Sequence, residues 1–187
     1  MKNIAIKISI LIVFVFVFTS IAFATGPATV YKVKITKFEL YNGTSWVTVF
    51  EGTTSALDIA SVSSGSSVGN FFSGLAVPDG VYTQARVTPA PSFTISGNDG
   101  VSYTTATVGP GSGSVPGAAA AQAECTITLT GVNVPTAQIQ DFSATPITVT
   151  NGSPNHKVRV SFNVSNAVQL LGGELYPASP AVTMSIQ

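Results

Sequence analysis

The chain is predicted to be all-β, a single antiparallel β-sandwich domain behind an N-terminal export signal. Three observations carry that expectation. Apolar and polar residues alternate over short runs, most clearly at 31–36, 126–130 and 158–164. Turn-forming residues punctuate those runs at Asn42-Gly43, Pro78-Asp79-Gly80, Gly97-Asn98-Asp99-Gly100 and Asn151-Gly152. Only 9% of the 187 residues are charged while 45% are hydrophobic, a balance that suits an extracellular β-protein.

The N-terminus is read first because it decides what folds. Lys2 and Lys7 precede an apolar run at 8–23, interrupted by Ser9, Thr19 and Ser20, and Ala22-Phe23-Ala24 supplies small residues for a signal peptidase. Residues 1–24 are therefore expected to be a signal peptide cleaved after Ala24, leaving a domain at 25–187 with no membrane span. That domain keeps Lys32, Lys34, Lys37, Arg86, Lys157 and Arg159 against eight acids, for a net charge of −2. So sparse a set gives no electrostatic footprint for nucleic acid. Cys125 is the single cysteine, so no intramolecular disulfide is available and the fold must rest on its core. Cys125 itself is expected to be an inert buried thiol.

Tyr31, Val33 and Ile35 alternate with Lys32, Lys34 and Thr36, but beyond Lys37 the apolar positions become Phe38 and Leu40. A one-residue slip would turn the core face outward, so a β-bulge is expected near Thr36-Lys37. Asn42-Gly43 then predicts a hairpin returning through 45–50, a strand apolar on both sides and expected to be covered on both. Leu57-Asp58-Ile59 leads into a Ser/Gly-rich stretch to Gly69, with Phe71, Phe72 and Leu75 as core anchors.

The segment 76–87 (A-V-P-D-G-V-Y-T-Q-A-R-V) organises the chain. Pro78, Asp79 and Gly80 predict a turn with Gly80 at positive φ. In the strand that follows, Val81, Thr83, Ala85 and Val87 are placed on one face, and Tyr82, Gln84 and Arg86 on the other. Pro89 and Pro91 end it. Phe93 and Ile95 pair across 97–100 with Val101 and Tyr103 as a hairpin. The low-complexity segment 109–123 is read as one long surface loop. Ile127 and Leu129 point inward from the next strand, and 132–140 is a turn region around Pro135. Ile147 and Val149 are expected to pair with Val158, Val160, Phe162 and Val164 as a second hairpin. The segment 167–171 is a short helical turn before Gly172-Gly173, and 182–187 closes the chain as a strand.

Two separated segments resemble one family. Residues 31–50, Leu57-Asp58-Ile59 and P-D-G-V-Y-T-Q-A-R-V look like the first half of the secreted prokaryotic domain-of-unknown-function family 4382. V-R-V-S-F-N-V-S-N-A-V and G-G-E-L-Y-P-A-S-P-A-V-T-M-S-I are similar to its closing strands. Ser161 and Asn163 stand where that family usually has acids. P-x-G-x-Y turns occur also in prealbumin-like sandwich domains. The resemblance implies an exported β-sandwich and carries over no catalytic residues.

The chemistry offered is thin. His156 is the only histidine and no G-x-S-x-G elbow is present, so no catalytic residues are assigned. Asp79, Asn98, Asp99 and Asp141 offer oxygens to calcium, but without the dense spacing of a loop site; turn chemistry accounts for them, and no metal or cofactor is assigned. Asp58 and Arg86 are a candidate structural ion pair. Trp46, Tyr82 and Tyr103 are the candidate ligand-binding residues, since an aromatic face with a polar edge suits a sugar. Pro78, Asp79, Gly80, Tyr82 and Arg86 form the structural turn-and-strand motif. Asn42-Gly-Thr, Asn151-Gly-Ser and Asn163-Val-Ser match the glycosylation sequon. The expectation is a non-catalytic secreted, periplasmic or cell-surface module. It binds an extracellular glycan or envelope component, or else self-associates by strand addition as a fibre or matrix subunit.

Overall fold

The computed structural model describes residues 24–61, 76–131, 134–156 and 158–186. The leader up to Phe23, the Ser/Gly-rich stretch with Phe71, Phe72 and Leu75, and Val132 and Lys157 lie outside them. In chain order the strands are β1 (Thr25–Gly26), β2 (Ala28–Val33), β3 (Ile35–Tyr41), β4 (Trp46–Glu51), β5 (Leu57–Asp58), β6 (Gly80–Tyr82), β7 (Gln84–Pro89), β8 (Ser92–Gly97) and β9 (Tyr103–Val108). There follow β10 (Ser114–Gly117), β11 (Cys125–Thr128), β12 (Gln138–Asp141), β13 (Ile147–Thr150), β14 (Ser153–Pro154), β15 (Val158–Asn163), β16 (Val168–Leu171), β17 (Glu174–Pro177) and β18 (Ala181–Ile186). A 3₁₀ turn spans Ala119–Ala121.

These strands pair antiparallel into sheets ordered β1-β16-β17-β10-β9, β11-β8-β2-β5 and β12-β7-β3-β4, with smaller groups β14-β13-β6 and β15-β18. The sheets pack face to face as a β-sandwich-like domain around two apolar clusters. Tyr31, Ile35, Phe93, Ile95, Ile127, Val168 and Leu175 are buried in the first, together with Cys125. Leu40, Tyr82, Ala85, Phe142, Ile147 and Val149 form the second. Among the described residues no helix is long and apolar enough to cross a membrane.

The chain reaches both clusters by switching sheets in mid-run. β2 pairs with β8, whereas β3, one residue later, pairs with β7 and β4. The expected bulge lies where the phase slips. Ile35 opposes Pro89 and Lys37 opposes Thr88, so Thr36 is the extra residue, and its hydroxyl donates to the Thr88 carbonyl at 3.0 Å.

A second switch overturns the reading of 81–87 as one strand. Thr83 interrupts it, giving its N–H to the Tyr41 carbonyl and accepting that of Phe142. Tyr82, 1% exposed, and Ala85 therefore both point inward although they are three residues apart, and Val81 is left 50% exposed. Gly80 does not hold positive φ: it is the first residue of β6, in ordinary extended backbone opposite Val149. What fixes the turn is the Tyr82 hydroxyl, which donates to the Pro78 carbonyl at 2.8 Å. Tyr82→Phe removes that bond alone and should cost about 1 kcal/mol in urea denaturation.

Other pairings differ from expectation because distant strands compete for the same edges. β15 does not return on β13; it pairs with β18 over six positions, while β13 pairs with β14 and β6. The β13–β14 turn has Asn151 at φ 52° and Gly152 at φ 71°. Asp79 accepts both of their N–H groups at 2.9 Å, which lowers its pKa. The segment 167–171 is no helical turn: Val168–Leu171 is strand β16, joined to β17 by the two-residue turn Gly172-Gly173 at φ 57° and 85°. Past β8 the Asn98–Tyr103 bridge begins the expected hairpin, but β8 and β9 then diverge into different sheets. Residues 138–140 of the expected turn region belong to β12, and β4 is a half-buried edge strand rather than one covered on both sides.

The segment 109–123 is likewise not one long loop. Ser114–Gly117 is β10, inside the five-stranded sheet, with Ser114 fully buried. Its G-P-G-S-G composition has a packing cause. The buried Glu174 carboxylate accepts the N–H groups of Gly111 at 2.8 Å and Gly113 at 2.6 Å, and the Tyr176 hydroxyl donates to the Gly111 carbonyl at 2.6 Å. A Cβ on Gly111 or Gly113 would stand 2.7 Å from the Tyr176 side chain, and one on Gly109 would meet the Glu174 carboxylate.

Candidate functional site

Register assembles one face of the β12-β7-β3-β4 sheet from three separated pieces of chain, the β3–β4 hairpin, β7 and β12. Directly opposed residues share a face, so the pairings define two parallel rows. One row runs Asp141–Gln84–Tyr41–Trp46 and the other Ile139–Arg86–Glu39–Thr48. The rows are two residues apart along each strand, about 6.7 Å, and neighbours within a row are about 4.8 Å apart. The opposite face of the sheet, with Leu40 and Ala85, packs on the second apolar cluster.

In the first row the Gln84 amide donates to Asp141 Oδ2 at 2.8 Å, and the rings of Tyr41 and Trp46 sit 5.2 Å apart at 46°. In the second, Arg86 grips Glu39 with two nitrogens, Nη2 to Oε1 at 2.9 Å and Nε to Oε2 at 2.5 Å. Lys37 Nζ approaches Glu39 Oε1 at 3.2 Å from the same strand. Glu39 is 4% exposed, beneath those two cations. Its carboxyl pKa is lowered to about 2, first by the Arg86 hydrogen bonds, then with help from Lys37, against the opposing effect of burial. The Arg86 guanidinium also lies over Trp46, 4.3 Å from its ring centroid, a cation–π contact that links the rows.

Of the three aromatics singled out in the sequence, only Trp46 belongs to this face. Tyr82 is buried and bonded to Pro78, so its ring offers no stacking surface. Tyr103 opens β9 in the five-stranded sheet, half-buried and apart from the two rows. The suggested Asp58–Arg86 pair does not form. Asp58 accepts the N–H groups of Tyr31 and Ala60, and Arg86 is committed to Glu39. Glu39 is the residue that sequence reasoning missed. Its position between Phe38 and Leu40 marks the outward face of a strand, and only the cross-strand register reveals the cations covering it.

The suggested calcium oxygens are engaged separately. Asp99 accepts from Val101 and Ser102, Asn98 from Gly100, and Asp141 from Ser143 and Gln84, each within its own turn or ladder. Among the described residues no group of three or more His, Cys, Asp or Glu side chains is placed to hold a metal. A shallow hollow of about 240 Å³ adjoins the Asp141 end of the first row, lined also by Phe142, Thr145 and Ile186. Chemically the face offers an indole with one side covered by a guanidinium, at the end of a row that continues through a phenol to an amide and a carboxylate. It can hold a ligand with an apolar flank and polar edges.

Neither a family model, a curated protein nor a solved structure matches the chain.

Proposed function

We propose that this is an exported, non-catalytic β-sandwich module that binds an extracellular glycan on the Trp46 face. The observation that carries the reading is the pair of rows. Trp46, half-buried and held by Arg86 and Tyr41, has Thr48 beside it on β4 and stands at one end of a row that runs through Tyr41 and Gln84 to Asp141, about 14 Å away, a length that suits a short stretch of polysaccharide rather than one ring. Sugars present axial C–H groups to an aromatic face and hydroxyls to polar neighbours, and this arrangement meets both needs. The two cations Arg86 and Lys37 are balanced on this face by the two acids Glu39 and Asp141, which favours neutral over acidic polysaccharide. The leader at 1–24 and the resemblance of the 31–50 and 78–87 segments to a secreted family support export.

The test is titration of neutral polysaccharides into the mature protein, followed by tryptophan fluorescence and calorimetry. Binding should perturb Trp46, the only tryptophan, and Trp46→Ala should weaken it at least tenfold. Unchanged affinity in Trp46→Ala would remove the face from the mechanism. No binding, combined with growth in size across a concentration series by light scattering, would replace this reading with strand addition. The edge strand β12, whose Ile139 is 55% exposed, favours that second reading.

A further inference from the structure

Three Asn-X-Ser/Thr sequons stand at Asn42, Asn151 and Asn163, each with the asparagine exposed. The fold treats them differently. In the β3–β4 loop the Asn42 carboxamide oxygen accepts the N–H of Thr44 at 3.0 Å and that of Ser45 at 2.9 Å. At the end of β15 the Asn163 oxygen accepts the N–H of Ser165 at 3.0 Å. In both, the backbone of the sequon's own hydroxyl residue holds the carboxamide by its oxygen. The nitrogen is left as the free end, with no partner among the described residues. Asn98 shares this geometry through the Gly100 N–H at 2.9 Å, but has a glycine where the hydroxyl would be. Asn151 is built otherwise. It occupies the left-handed region at φ 52°, gives its own N–H to Asp79, and its Ser153 is paired with Thr150 in the ladder and followed by Pro154.

We propose that Asn42 and Asn163 are sites of asparagine-linked glycosylation and that Asn151 is not. The co-substrate is a glycan carried on a lipid phosphate and transferred by a membrane-bound enzyme. Asn Nδ2 bonds to the anomeric carbon of the sugar, the bond from that carbon to the phosphate oxygen breaks, and the lipid phosphate leaves with the electron pair. The carboxamide gives one proton to a base of the transferase, so nothing is oxidised or reduced. An amide nitrogen is a weak nucleophile because its lone pair is shared with the carbonyl. An acceptor must therefore be open and held in one orientation, as at Asn42 and Asn163; Asn151 is exposed in its turn, but its sequon hydroxyl residue, Ser153, does not hold the carboxamide and is fixed instead in the β13–β14 ladder. This inference rests on the export reading, since such donors meet only translocated chains.

The experiment is intact-mass and glycopeptide mass spectrometry on the full chain, produced in cells that glycosylate a control exported sequon protein. The exported fraction is expected to carry glycan mass at Asn42 and Asn163 and none at Asn151. Asn42→Gln and Thr44→Ala should each remove the first, and Asn163→Gln and Ser165→Ala the second. Exported protein of unmodified mass, or with its glycan on Asn151, would overturn the inference while leaving export standing. Protein retained in the cell with Met1 intact would overturn the export reading, and this inference with it.

Discussion

Gly97→Ala is expected to destabilise the domain by about 3 kcal/mol or more, and to reduce the yield of folded protein sharply. Gly97 ends β8 in the buried layer between sheets, and its N–H is held by the Thr104 hydroxyl at 3.1 Å. An added methyl would lie 2.9 Å from Ala28 Cα and from Val168 Cγ2, and closer still to the Pro27 carbonyl oxygen. Two of those neighbours are backbone atoms, at the first residue of β2 and the one before it, which cannot swing aside as a side chain can. The contact is relieved only by separating β2 from β8, the pairing that supports Tyr31 and Ile95 in the core. Gly80→Ala is the matched control, since a methyl there meets the Tyr82 ring at an ordinary 3.5 Å and should change stability by less than about 1 kcal/mol. Chemical denaturation of both variants decides the matter. Equal stabilities would mean that the strands are not packed as closely as described.

The second large effect is acid lability centred on Glu39. Its folded pKa of about 2 lies below the ordinary 4.5, so the unfolded chain binds the proton more readily. The stabilisation is fully present above pH 4.5 and is lost as the pH falls toward about 2. Asp79, Asp141 and Glu174, held down by N–H and hydroxyl donors, add dependence of the same sign. Glu39 is isolated by comparing wild type with Glu39→Gln. That variant should lose about 1 to 2 kcal/mol at neutral pH and show a flatter stability profile through the acid range. Arg86→Leu should be the worse of the two, because it leaves a buried carboxylate with Lys37 in place of its two-nitrogen partner, whereas Glu39→Gln leaves a partly exposed guanidinium. Parallel acid profiles for wild type and Glu39→Gln would show that the pair is not linked to folding.

What could be read from the residues was local, and what could not was relational. The β3–β4 hairpin at Asn42-Gly43, the bulge at Thr36 and the inward Ile127 each follow from neighbours in sequence. The inversion at Thr83 was hidden because alternation counted across it looks unbroken, although the chain there changes sheets. β10 was hidden more deeply. Its flanking glycines resemble a linker, and the reason for them lies in Glu174 and Tyr176, some sixty residues onward. Gly172-Gly173 between apolar runs is itself a hairpin signal, and it outweighs the helical spacing of 167–171. On the candidate site Trp46 was found, whereas Glu39 needed a register that no single strand encodes.

The sheet changes at Lys34 and Thr83 bear on how the molecule comes apart. Because β2 and β3 are one run of chain, a force or fluctuation that frees Leu40 from one apolar cluster is transmitted along the backbone to Tyr31 in the other. Neither end can melt while leaving its counterpart undisturbed, since β2 and β3 are joined through the single residue Lys34. The two clusters are therefore thermodynamic dependants, and unfolding should be a single all-or-none event despite the divided core.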